Sequence, residues 1–239
     1  MKAIVLAAGY ATRLYPLTLD TPKPLLEVGG RPMVDYVLDA LRTADVDSVY
    51  VVTNAKFASH FAGWAPDGVT VIDDGTTSED DRLGAIGDIG FVLERAGLDD
   101  DLIVIAGDNL FTADIGGFTA LGLERDAPVL AVHDMGPTAD MSQYNTTEFD
   151  GDGRITFFEE KPKHATSTLA GTALYFYPRR ALPLIRQYLA EGNNPDQPGR
   201  LVEWLYTRTP CYVWEIPGEW YDIGSRDQLE AARADFAAK

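Results

Sequence analysis

The sequence predicts a three-layer α/β/α fold around a mostly parallel mixed sheet, with a small second lobe. Two observations carry this. Four short apolar runs, AIVLA (3–7), SVYVVT (48–53), VTVI (69–72) and DLIVIAGDN (101–109), show no polar alternation. Strands covered by helices on both faces read this way. Between the runs lie stretches with helical periodicity, and strand–helix alternation at this spacing builds a layered α/β domain. The length of 239 residues suits one domain with a sizeable core.

Taken in order, AIVLA is the first strand, stopped by Gly9. RPMVDYVLDALRTA (31–44) is a helix, with Pro32 at its start and apolar residues at 33, 34, 37, 38 and 41. KFASHFAGW (56–64) is a shorter one, and GAIGDIGFVLERAG (84–97) keeps Ile86, Ile89, Val92 and Leu93 on one side despite Gly87 and Gly90. After about residue 130 the texture changes. EFDGDGRITFFEE (148–160) reads as two strands joined by a Gly/Asp-rich turn, and LAGTALYFYP (169–178) as an aromatic-rich strand. RRALPLIRQYLAEG (179–192) and RLVEWLY (200–206) read as helices, followed by CYVWEI, EWYDIG and a terminal helix capped by Ser225. Residues 1–130 and 131–239 are therefore expected to be two parts of one domain, without internal repeat or disordered linker.

Thirty-seven acidic side chains stand against 20 basic ones, a formal charge of −17 with a pI near 4.4. Such a field repels nucleic acid and anionic membranes, and it repels phosphate-bearing ligands unless placed cations screen it. Neither a nucleic-acid nor a membrane partner is expected. The single cysteine, Cys211, excludes an intramolecular disulfide, and its apolar surroundings suggest a buried, inert thiol. No run of 18 apolar residues and no secretory pattern is present, so cytoplasm is the expected compartment. A homo-oligomer is compatible with the sequence.

An open parallel sheet binds ligands beyond the carboxyl ends of its strands. LAAGYATR lies there after the first strand. Ala7, Ala8 and Gly9 lack bulk, successive N–H groups can form an anion nest, and Arg13 adds donors matched to phosphate. The same stretch also reads as a plain turn using glycine for its dihedral angles, with Arg13 in solvent. In TPKPLLEVGG (21–30), Pro22 and Pro24 hold Lys23 on a stiff extended segment, or simply form a surface turn. Asp108 closes a core strand in GDN, and Asp222 sits among aromatic and apolar residues in EWYDIGS. One or two carboxylates plus substrate phosphates are a usual way to hold Mg²⁺, so Asp108 and Asp222 are the candidate metal ligands. FFEEKPK (157–163) offers Glu160 for ligand hydroxyls and Lys161 for a second phosphate, or a charged hairpin edge. His60, His133 and His164 have no metal-ligand spacing.

LAAGYATRLYPLT, TPKPLLEVGGRPMVDYVL, AGDN, FEEKP and WYDIG, in this order, resemble the sugar-1-phosphate nucleotidyltransferases, which include glucose-1-phosphate thymidylyltransferase and its uridylyl, cytidylyl and guanylyl relatives. The five blocks span nearly the whole chain. The resemblance implies a Rossmann-like nucleotidyltransferase fold of the GT-A type. It implies that Leu6, Ala7, Ala8, Gly9, Tyr10, Ala11, Thr12 and Arg13 wrap the triphosphate of an NTP, with Lys23 near the reacting phosphates and Gly84 close to the base. Asp108 and Asp222 would hold the catalytic Mg²⁺. Asn109, Tyr144, Glu160, Lys161 and Gly171 would face a phosphorylated acceptor, a hexose 1-phosphate by this reading. The catalytic set is then Arg13, Lys23, Asp108, Lys161 and Asp222.

Three departures bear on specificity. Ala11 stands where the family usually has a second glycine, DDGTTSEDDRLGAIGDI (73–89) lacks the base-reading glutamine, and YNTT (144–147) replaces YGVV. The short form without an appended hexapeptide-repeat domain is expected. The reaction expected is attack of a sugar phosphate on the α-phosphorus of the NTP, without a nucleophilic side chain. A cytidylyltransferase for a non-sugar phosphate or phosphonate, and a catalytically silent nucleotide-sensing protein, are the alternatives.

Overall fold

The computed structural model describes residues 1–221 and 223–237. In chain order its strands are β1 (Lys2–Leu6), β2 (Glu27–Val28), β3 (Arg31–Pro32), β4 (Ser48–Thr53), β5 (Val69–Asp73), β6 (Leu102–Ala106), β7 (Leu110–Phe111), β8 (Val129–Asp134), β9 (Asn145–Phe149), β10 (Ile155–Glu160), β11 (Leu169–Tyr177), β12 (Tyr212–Glu215) and β13 (Trp220–Tyr221). Its α-helices are α1 (Met33–Arg42), α2 (Ala58–Trp64), α3 (Ala85–Arg95), α4 (Gly116–Arg125), α5 (Leu182–Ala190), α6 (Pro198–Leu205) and α7 (Arg226–Ala237).

Seven strands form one sheet in the order β12-β8-β11-β6-β1-β4-β5. Its neighbours pair in parallel except β11, which runs antiparallel to both β6 and β8. The expected mostly parallel mixed sheet is therefore present. In β1 the side-chain period of two sends Ile4 to one face and Ala3 and Val5 to the other, all fully buried. Ile4 joins Val52 and Val104 under Ile86, Ile89 and Leu93 of α3, Ile185 of α5 and Leu201 of α6. On the opposite face Ala3, Val5 and Ile103 meet Val34, Val37 and Leu41 of α1, Phe61 of α2 and Phe118 of α4. Apolar strands buried on both faces are thus explained by a helix layer on each side.

The sequence reading passes over α4 and β8. Gly116, Gly117 and Gly122 dilute the apolar period of α4. Gly122 has a packing reason, since a Cβ there would lie 2.3 Å from Cδ1 of Phe176 in the sheet below. The helix expected at 31–44 starts at Met33, because Arg31 and Pro32 pair with Glu27 and Val28 instead. Ser225 caps α7 as expected: its Oγ accepts from Gln228 N at 3.3 Å, and Gln228 Oε1 accepts from Gly224 N at 2.9 Å. Cys211 is buried, and burial pushes its thiol up to about 12. Among the described residues no helix is long and apolar enough to cross a membrane.

Candidate active site

The carboxyl ends of β1 and β6 open into a cleft of two adjoining compartments, about 480 and 370 Å³. The LAAGYATR loop lines the first. Its base is fixed by the sheet: Ala7 N donates to Val52 O, Gly107 N donates to Leu6 O, and the buried Asn54 donates its Nδ2 to Ala8 O at 2.8 Å. Gly9 is exposed, and a Cβ added to it would meet nothing within 4 Å. Its φ is not positive; the left-handed residue is Ala11, at φ 48°. The plain-turn reading therefore gives Gly9 no task, and the space left by its missing side chain is open. Ala11 adopts the conformation that glycine favours, held by Thr18 Oγ1 donating to its carbonyl at 2.8 Å. Thr12–Leu14 form a 3₁₀ turn, and Arg13 stands exposed on both compartments.

Lys23 is not on an extended segment. It opens a 3₁₀ turn, Lys23–Leu25, in which Pro24 fits because the first turn leaves its N–H position unused. The turn aims Lys23 at the end of β6, where Nζ meets Asp108 Oδ2 at 2.5 Å. Both residues line both compartments. The second carboxylate of the expected pair, Asp222, lies outside the described residues. Its neighbours Ile223 and Gly224 line both compartments as well.

Asn109, Tyr144, Glu160 and Gly171 all line the second compartment. A register shift interrupts the pairing of β11 with β8 between Gly171 and Tyr175, and Ala173 within it, at φ 53°, lines both compartments. Asn109 ties it down, donating Nδ2 to Ala173 O at 3.2 Å and accepting from Trp220 Nε1 at 3.0 Å. Both polar ends of Asn109 are thus spent on the fold. Gly171 is small because Leu130 lies beneath it: a Cβ at this position would fall 2.9 Å from Leu130 Cδ1. Burial pushes the Glu160 carboxyl up to about 7, opposed by Lys161, Arg200 and a hydrogen bond from Asn145. Gly199, in the first turn of α6, makes room for it: a Cβ there would fall 1.9 Å from Glu160 Oε2. Lys161 is exposed, with a left-handed backbone at φ 52°, and it lines neither compartment. The structure does not bring it to Arg13, Lys23 and Asp108.

Sequence reasoning missed Asn145. Its Oδ1 accepts from Gly171 N at 2.7 Å, and its amide also bonds Glu160, so it joins two expected acceptor-side residues. The visible signal was the departure YNTT itself. It also missed four charged side chains that line the first compartment, Glu79, Arg82, Asp88 and Asp196. Arg82 donates Nε and Nη2 to the Asp196 carboxylate at 3.0 and 3.2 Å and Nη1 to Glu79 Oε1 at 3.2 Å. Gly84 has φ 80°, and a Cβ on it would lie 2.7 Å from Asp196 Cα and Pro195 O. The close approach at this glycine is therefore to another segment of the same chain. Pro195 and Asp196 carbonyls accept from Ile86 N and Ala85 N, capping α3.

An exposed guanidinium, an ion-paired lysine and a strand-end carboxylate thus line both compartments of an α/β cleft. The family model described as nucleotidyl transferase matches residues 2–239, and the chain belongs to that family. It is 31% identical to a glucose-1-phosphate thymidylyltransferase of Mycolicibacterium smegmatis, over 99% of this chain and 82% of the relative. It is 29% identical to a UTP–glucose-1-phosphate uridylyltransferase of Synechocystis, over 94% of this chain. The chain spans 60% of the length of that relative, and 60% of another from Sulfolobus acidocaldarius. A UDP-glucose pyrophosphorylase solved with UDP-glucose superposes with a TM-score of 0.84, covering 100% of this chain and 99% of that one at 21% identity. That likeness establishes the shared fold.

Proposed function

We propose that the chain transfers a nucleotidyl group from an NTP to a sugar 1-phosphate, releasing an NDP-sugar and pyrophosphate. The observation that carries this reading is the junction: Arg13, Lys23 and Asp108 line both compartments. A nucleotide in the first and an acceptor in the second would bring their phosphates together there. The first 130 residues then hold mainly the nucleotide, and the remainder mainly the acceptor. Cytoplasm is the proposed location.

The residues need only align and neutralise. A sugar phosphate is already an oxyanion near neutral pH, so no general base is required, and its oxygen attacks the α-phosphorus in line as pyrophosphate leaves. Arg13 and Lys23 draw the phosphates into register on a chain carrying −17 and offset their charge. Among the described residues no cluster of three His, Cys, Asp or Glu side chains could hold a metal alone. A single accessible carboxylate beside a phosphate site nevertheless suits Mg²⁺, which takes its other ligands from substrate phosphate and water. Asp108 would hold it, with Asp222 as the proposed second ligand, and the ion would supply charge neutralisation at the leaving pyrophosphate. Lys23 then passes from Asp108 to the phosphates. Glu160 accepts hydrogen bonds from acceptor hydroxyls, steadied by Asn145, and Lys161 reaches the acceptor phosphate only by turning inward.

The test is a panel of five NTPs against hexose 1-phosphates, alditol phosphates and phosphonates, with Mg²⁺, read by pyrophosphate release. Turnover with an NTP and a hexose 1-phosphate is expected. Turnover with alditol phosphates or phosphonates alone transfers the reading to the non-sugar alternative, and silence throughout rejects it.

A further inference from the structure

A short piece of the connection between α5 and α6, residues 195–199, runs from the wall of the first compartment to the wall of the second. One end is fastened to the 82–86 stretch. Ala85 N and Ile86 N donate to Asp196 O at 3.1 Å and Pro195 O at 2.8 Å. Gly84 lies so near that a Cβ on it would stand 2.7 Å from Asp196 Cα. Arg82 completes the fastening, its Nε and Nη2 gripping both oxygens of the Asp196 carboxylate at 3.0 and 3.2 Å. The other end abuts Glu160. A Cβ on Gly199 would fall 1.9 Å from Glu160 Oε2 and 3.4 Å from Phe158 Cζ, so the first turn of α6 is the wall against which that carboxylate rests. Pro198, between the two ends, lines both compartments.

The link has little freedom of its own. Gln197 precedes a proline, which confines it to extended backbone, and it stands at φ −102° and ψ 122°. The ring of Pro198 fixes that residue's φ. A shift of Asp196 is therefore passed on to Gly199 rather than absorbed on the way. Arg82 lines the first compartment, where a free guanidinium would suit phosphate. Its donors are nearly all engaged, however, because Nη1 donates to Glu79 O at 3.1 Å and to Glu79 Oε1 at 3.2 Å. Two carboxylates around one guanidinium leave the group net negative. Such a group serves as an anchor and not as a phosphate contact.

We infer that Arg82 is a positioning residue for the second compartment: by holding Asp196 it sets, through Gln197, Pro198 and Gly199, where the Glu160 carboxylate meets a sugar 1-phosphate. This rests on the assignment of the second compartment to the acceptor. A side chain on the wall of one compartment thereby governs the substrate held in the other.

The test is steady-state kinetics of the full chain with the productive NTP and hexose 1-phosphate. The variants are Asp196→Asn, the charge-conserving pair Arg82→Gln/Asp196→Asn, Gly199→Ala, and that pair combined with Gly199→Ala. The Arg82 and Asp196 side chains retain 39% and 37% exposure, so their replacement should leave the chain folded, and an unchanged NTP KM reports this directly. The neutral pair should raise the acceptor KM about 4-fold and leave the NTP KM within about 2-fold. Asp196→Asn, which frees the guanidinium into the first compartment, should raise the acceptor KM equally without raising the NTP KM. On a Gly199→Ala background, where the Glu160 contact is already disturbed, the neutral pair should add less than about 2-fold. An acceptor KM that stays at the wild-type value, an NTP KM raised as much as the acceptor KM, or a full 4-fold effect on the Gly199→Ala background overturns the inference alone. A wild-type chain that turns over no NTP with any hexose 1-phosphate overturns the proposed function and this inference together.

Discussion

Lys23 Nζ lies 2.5 Å from Asp108 Oδ2, and this ion pair stands where the two compartments of the cleft meet. The Asp108 side chain retains 32% of its exposure, so the pair is open to exchange of partners rather than locked in the core. Asp108→Asn keeps the shape and removes the charge. Turnover should fall at least about 100-fold, because a carboxylate that holds a metal acts on the transition state. The melting temperature should stay within about 4 °C of wild type. Near-normal turnover would reject the metal role.

Gly84 lines the first compartment and packs against the 195–196 segment. Alanine there must adopt φ 80° and place its Cβ 2.7 Å from backbone atoms of Pro195 and Asp196. Neither can yield as a side-chain tip would, so Gly84→Ala should cost at least about 2 kcal/mol, or roughly 4 °C in melting temperature. A thermal scan showing no loss contradicts the close approach described.

Gly199, which lines the second compartment, offers the corresponding test there. A methyl group there occupies the place of Glu160 Oε2, and the carboxylate can swing away. The expected effect of Gly199→Ala is therefore selective: acceptor KM raised at least about 10-fold, with NTP KM within about 2-fold. Equal effects on both substrates, or none, speak against Glu160 as an acceptor contact.

Stability should carry the signature of the buried Asp88 carboxyl. Burial, reinforced by the Asp74 charge, raises it from 3.8 to about 8, so the folded chain holds a proton that the unfolded chain releases. Its contribution is complete below pH 3.8 and is lost as pH rises toward and through 8. Asp88→Asn removes this loss, and its melting temperature relative to wild type should climb between pH 6 and pH 9. Glu160, pushed to about 7 by burial, acts in the same direction but is common to both proteins. A difference independent of pH rejects the raised Asp88.

The features legible in the sequence are those written in local pattern. The doubly covered strands show as unbroken apolar runs, and the loop after β1 shows as small residues followed by Arg13. What escaped depends on contacts far apart in the chain. Asn145 looks like an ordinary polar residue until β9 places it between Gly171 and Glu160. Asp88 looks like part of an amphipathic helix until the fold buries it near the Asp74 charge. The run Asp99-Asp100-Asp101 reads as bare surface charge, yet Asp99 pairs with Arg179, Asp100 with the N-terminus, and Asp101 Oδ1 accepts from Arg179 N at 2.8 Å. α4 was hidden because its glycines dilute the apolar period, and one of them, Gly122, answers to Phe176 rather than to helix propensity. Ala11 was legible as a departure, but its left-handed backbone shows that the position keeps the conformation and only the residue has changed.

If the junction at Lys23 and Asp108 is where the NTP breaks, the bond that opens is the one at its α-phosphorus. Two parallel reactions with the productive NTP and sugar 1-phosphate test this, one with the α-phosphate labelled and one with the γ-phosphate labelled. The α-label should appear in an NDP-sugar and the γ-label in pyrophosphate, in equal amounts. Recovery of the γ-label on the sugar, or of the α-label only in free nucleotide, would contradict it.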